Sequence, residues 1–163
     1  MIYYDARDAL SHAYRILARG ESLRGTLADL PPGGDLTAQE WIVHATYIVK
    51  GMQFAVDGPY RRAIEASFAF DPVAREKACN LLAPRIECPS RAFAAYVLPR
   101  WAIGTNESPD WQQWTGITRK SQRTLQRWNK ECCDQATHFL KVALNMTTDH
   151  FRDSGICVTA DVA

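Results

Sequence analysis

SPDWQQWTGITRKSQRTLQRWNK, residues 108–130, is the stretch on which the reading of this chain turns. Its first half reads as a short helix over residues 111–115, capped by Ser108 or Asp110 and closed by a turn at Gly116. Its second half begins at Ser121 and sets Leu125 and Trp128 three residues apart on one helical face. Ser121, Gln122, Arg123, Gln126, Arg127 and Lys130 fall on the other face. Two helices joined by a turn, the second carrying arginine and glutamine outward, is the arrangement that seats a helix in the major groove of DNA. With Gly116 as the turn glycine, Trp111 and Ile117 are the inward residues of the first helix. Thr118, Arg119 and Lys120 then lengthen the turn by about three residues over the simplest helix-turn-helix, which loop-closure entropy tolerates at little cost.

Charge supports the same stretch. The 163 residues contain 19 basic and 18 acidic side chains, a net charge of +1, so the total favours no partner. Distribution does. Residues 119–130 hold five basic side chains, Arg119, Lys120, Arg123, Arg127 and Lys130, and no acid, whereas the 118 residues before them hold twelve basic and thirteen acidic ones. Gln122, Arg123 and Gln126, near the start of the second helix, carry the side chains that pair bidentately with guanine and adenine edges. Arg119, Lys120, Arg127 and Lys130 suit phosphates.

Outward from this stretch the chain reads as all-α. Ala6, Leu10, Ala13, Tyr14 and Leu17 recur at three- and four-residue steps over residues 5–18, an amphipathic helix. Paired prolines and glycines at residues 31–34 mark a linker. Thr37 and Glu40 form a capping box ahead of a helix with Trp41, Ala45, Ile48, Val49, Met52 and Val56 on one face. Pro59 and Pro72 each open a further helix, and Pro84 closes the second. Ser90 caps a segment in which Phe93, Val97 and Trp101 repeat, with Pro99 expected to kink or end it. The basic helix continues past Lys130 through Cys132, Ala136, Phe139, Ala143 and Met146 with no glycine or proline. The organisation expected is a helical region over residues 1–86, then a helix-turn-helix with a long last helix over residues 87–163. That helix must bury its apolar edge, either on the first long helices or on a second copy or protein partner.

Several classes are disfavoured. No nucleophile elbow, zincin, phosphate-loop or dinucleotide fingerprint occurs. Arg61, Arg62, Glu65, Arg75 and Glu76 have the spacing of a solvated helical face, and His12 and His44 stand singly on theirs. An enzyme is not expected. The five cysteines lack any CxxC pair, so free thiols in a cytoplasmic protein are expected, without metal or other cofactor. Cys88, Cys132, Cys133, His138 and His150 lack finger spacing. No run of about eighteen apolar residues suggests a membrane partner.

An all-helical protein of this size with a late basic DWQQWTGITRKSQRTLQRW resembles the Q-type transcription antitermination factors of lambdoid phages and their AlpA-like relatives. The resemblance is closest over residues 110–128. It implies a protein that binds double-stranded DNA near a promoter, engages bacterial RNA polymerase and its sigma factor there, and carries the polymerase through pauses and terminators. Gln122, Arg123, Gln126 and Arg127 would then make the DNA contacts. A conventional helix-turn-helix repressor or activator shares the DNA-binding half, and a small packaging-terminase subunit also joins such a motif to oligomerising helices.

Overall fold

Helix starts in this protein follow side chains that satisfy otherwise orphaned amides. In the computed structural model, which describes residues 3–22 and 36–158, seven α-helices run in the order α1 Ala6–Ser22, α2 Ala38–Ala55, α3 Gly58–Phe68, α4 Pro72–Leu82, α5 Arg91–Ile103, α6 Trp111–Thr118 and α7 Gln122–Asp153. Asp5 accepts from the amide of Asp8 at the head of α1. Thr37 and Glu40 close the expected capping box on α2. Asp71 accepts from Val73 and Ala74 ahead of α4, with Pro72 at its first turn. Ser90, Asp110 and Ser121 accept from Phe93, Gln113 and Thr124 ahead of α5, α6 and α7. The all-α expectation is met, and no helix among the described residues is long and apolar enough to cross a membrane. The linker at residues 31–34 lies outside the described residues.

Several boundaries differ from expectation. Pro99 neither ends nor interrupts α5. It lacks the amide that would bond back to Ala95, yet the helix continues to a left-handed glycine cap at Gly104. α7 extends to Asp153, well past Met146.

The contacts divide the chain into two compact units, one comprising residues 1–57 and 144–163 and the other residues 58–143. The boundary expected near residue 86 falls inside the second unit, and α7 contributes its last turns to the first. In that first unit α1 packs on α2. Leu10 and Ala13 of α1, Trp41, Ala45, Ile48 and Met52 of α2, and Leu144, Thr147 and Phe151 of α7 are buried. Gly51 admits Phe151 because it has no side chain: a Cβ there would lie 3.0 Å from the ring. The chain ends of this unit meet where the Tyr3 amide donates to Ile156 and the Val158 amide donates to Tyr3.

The second unit is built on Ala63 and Ala66 of α3, Ala78, Cys79 and Leu82 of α4, Phe93, Val97 and Leu98 of α5, Trp114 of α6, and Leu125, Trp128, Cys132 and Ala136 of α7. The apolar stripe of α7 is therefore covered within the chain along most of its length. Met146, read as part of that stripe, is 45% exposed, and Leu144 and Thr147 beside it take the buried positions. Arg61 and Arg62 both bind Glu65 on their own helix, at 2.7 and 2.5 Å, as an intrahelical cluster does.

His12 and His44 do not stand singly. The Tyr3 hydroxyl lies 2.7 Å from His12 Nδ1, His44 stacks on Tyr3 at 6.1 Å, and both imidazoles meet Trp41 edge-on. Burial lowers the pKa of His44, and burial with the nearby Arg15 lowers that of His12 against an opposing pull from Asp8. Both rings are thus held neutral relative to the unfolded chain. A depressed histidine pKa means that the unfolded state binds more protons, so this contribution is fully present above the ordinary value of 6.5 and is lost as pH falls below it. Thermal unfolding measured from pH 8 to pH 5 is expected to show stability falling below about pH 6.5, the ordinary imidazole range. His44→Phe should flatten that slope, and an unchanged slope would remove His44 from the account.

Candidate nucleic-acid interface

The interface is assembled from α5, α6 and the first turns of α7. Eight residues are too few for an isolated helix to persist in water, so α6 depends on what it buries. Trp114 is its buried residue, and the indole meets Phe93 of α5 edge-on at 5.3 Å and Tyr96 at 5.1 Å. Phe93 also meets Trp128 of α7 at 6.2 Å. Leu125 is fully buried beside them. The Tyr96 hydroxyl accepts from the Asp110 amide, fixing the residue that caps α6. Further along, Gln135 makes two hydrogen bonds with the backbone of Glu87, and Trp101 Nε1 donates to Thr137 Oγ1. The start of α7 is held from behind along four turns.

Leu125 and Trp128 take the inward positions read for them, but the first helix differs. Gly116 is not the turn. α6 continues through it to Thr118 and stops at Arg119, the one non-glycine residue with positive φ (54°) among the described residues. Ile117, expected inside, is 57% exposed, Trp111 is only partly buried, and Trp114 fills the interior position instead. The turn between α6 and α7 is therefore Arg119, Lys120 and Ser121 alone. A three-residue turn is what a helix-turn-helix uses, so the apparent three-residue excess disappears once Gly116, Ile117 and Thr118 are counted in the helix.

All eight residues read as DNA-binding, Arg119, Lys120, Ser121, Gln122, Arg123, Gln126, Arg127 and Lys130, are exposed. Their electrostatic circumstances differ. Lys130 Nζ donates to Asp134 at 2.6 Å, which raises its pKa, and Arg127 faces Glu131 at 3.8 Å. Among the described residues no carboxylate engages Arg119, Lys120 or Arg123. The unopposed positive charge is concentrated on the turn and the first turn of α7, where the unpaired amides at the helix start add a positive field. Ser121 has a structural task, its hydroxyl bonding Thr124 Oγ1 and accepting from the Thr124 amide. The sequence reading missed the Glu131 and Asp134 pairs, although their four-residue spacing from Arg127 and Lys130 announces them.

Among the described residues no three His, Cys, Asp or Glu side chains are grouped to hold an ion. The five cysteines are free thiols. Burial raises the pKa of Cys132, whose thiol is also hydrogen-bonded to Cys88, so it is a poor nucleophile or ligand. No family model matches this chain, and a search of curated proteins gives no match.

The corrected turn carries a direct test. Nothing lies within 4 Å of a Cβ placed on Gly116, and helical glycine is weaker than alanine, so Gly116→Ala should stabilise the protein by about 0.5–1 kcal/mol in denaturant melts. Arg119→Gly should relieve the left-handed backbone and stabilise by up to about 1 kcal/mol. Destabilisation by Gly116→Ala would return the turn to residue 116.

Proposed function

We propose that this chain is a double-stranded DNA-binding transcription protein that reads the major groove with the start of α7. The observation that carries the reading is the three-residue turn between α6 and α7, set on an aromatic core that leaves Arg119, Lys120, Gln122, Arg123 and Gln126 facing outward. Gln122, Arg123 and Gln126 contact base edges. Arg119 and Lys120 hold phosphates, with Arg127 and Lys130 contributing less because each shares its charge with an acid one turn on. The protein acts by binding, without a cofactor and without catalysis, in the cytoplasm.

Within that class, the resemblance of residues 110–128 to Q-type antitermination factors supports the finer reading. The protein loads at a promoter-proximal element, engages RNA polymerase and its sigma factor, and makes the polymerase read through pauses and terminators. The test is transcription in vitro on a template that carries the promoter of its own gene cluster and a downstream terminator. Read-through that requires both the protein and the upstream DNA supports antitermination. Altered initiation without read-through would assign a conventional repressor or activator, and ring-sized assembly without either effect a packaging-terminase subunit.

DNA contact is tested separately by titrating preferred and random duplexes over a range of salt. Arg123→Ala is expected to cost on the order of 1–3 kcal/mol on the preferred duplex and much less on the random one. Lys120→Ala should weaken both alike and lower the salt slope by about one. Lys130→Ala should change the slope less than Lys120→Ala. Equal loss on both duplexes for Arg123→Ala would overturn its base-reading role, and failure to bind any duplex at low salt would overturn the function.

A further inference from the structure

α2 is apolar on two opposite faces. One carries the buried Trp41, Ala45, Ile48 and Met52. The other is exposed and carries Val43 (65%), Tyr47 (57%) and Phe54 (84%), with Leu36 exposed just before the capping Thr37. Two charged residues, Glu40 and Lys50, lie on the same exposed face. Residues 40, 43, 47, 50 and 54 of α2 alternate steps of three and four, a heptad pattern that Leu36 continues in number just outside the helix, on a largely exposed side where only the Phe54 ring meets a neighbour, His150 at 5.4 Å.

The order of side chains along this stripe is its own mirror. Counted from Ala45, Val43 and Tyr47 lie two residues to either side, Glu40 and Lys50 five, and Leu36 and Phe54 nine. We propose that α2 pairs with α2 of a second copy, antiparallel, about a two-fold axis at the level of Ala45. Each Val43 then faces a Tyr47, each Leu36 a Phe54, and each Glu40 a Lys50 of the other copy. Isologous pairing of one patch with itself is how two-fold dimers form. The charges select the direction: a parallel in-register pair would set Glu40 against Glu40 and Lys50 against Lys50, whereas the antiparallel pair joins opposite charges at both ends. Glu40 can take part while capping α2, since its Oε2 serves Thr37. Lys50 has no ion pair among the described residues. This interface is separate from α7, whose stripe is covered within the chain, and it does not depend on the DNA reading.

Sedimentation equilibrium of the full chain from the low micromolar range upward tests the pairing. The unaltered chain is expected to dimerise. Lys50→Glu, which turns two attractive pairs into repulsive ones, should weaken the dimer by about tenfold or more, and Val43→Asp should abolish it. Neither change touches the α2 cap, and an unchanged far-ultraviolet circular dichroism spectrum verifies folding. Reversing both charges in one chain, Glu40→Lys with Lys50→Glu, removes the Glu40 arm of the capping box and lowers helix stability, yet it should recover association relative to Lys50→Glu alone. A monomeric unaltered chain, or a dimer indifferent to Lys50→Glu or to Val43→Asp, overturns the proposal. Indifference to Lys50→Glu is the result a parallel pair would give.

Discussion

The packing of Phe93 against Trp114 and Trp128 is the constraint on which the second unit depends. α6 has only two turns and a single buried side chain, so its position is set by where the Trp114 indole goes. Aromatic pairs at these separations contribute about 0.5–1.5 kcal/mol beyond the area they bury, which is substantial for so short a helix. The same cluster fixes the rotation of α7. With Leu125 and Trp128 turned inward, Arg123 and Gln126 turn outward, and Gln122, on the flank of the buried face, is exposed as well. The outward face is thus a consequence of the core, and it sits on a supported helix, which holds contact geometry better than a loop does.

Charge then divides that outward face along its length. Arg127 and Lys130 are followed one turn later by Glu131 and Asp134, and the resulting exposed pairs add little stability. Their larger effect is on the field. They cancel positive potential over the third turn of α7 and leave it concentrated at the turn and the helix start, where the dipole has the same sign. A polyanion approaching this surface is drawn toward the end of the helix with the glutamines, and not along its whole length.

Local chemistry was legible in the sequence. The Thr37–Glu40 capping box, the Asp71-Pro72 start, the Ser90 cap and the inward Leu125 and Trp128 all stand as read, because each depends on residues within one or two helical turns. The turn was misread for an equally local reason. Glycine is the usual residue at a left-handed cap, and Gly116 drew the boundary to itself. Arg119 instead takes that conformation, at a cost the burial of Trp114 and Trp128 on either side of the turn must offset. Core packing decided where α6 ends, and core packing is not local.

The same limit explains what periodicity could not assign. Tyr3, His12 and His44 converge through the packing of α1 on α2, and no spacing encodes that. In α2, Trp41, Ala45, Ile48 and Met52 satisfy a helical repeat, but so do Val43, Tyr47 and Phe54 on the reverse side, and sequence alone does not say which face the neighbours will cover. Once α1 and the end of α7 occupy the first face, the second is left outside, and with Leu36 it offers four large apolar side chains and two opposite charges placed evenly about Ala45. An exposed helix with no partner gains nothing from that symmetry, since solvent is indifferent to the order of residues along a stripe. A second copy of the same stripe, running the other way, would present to each residue one that suits it.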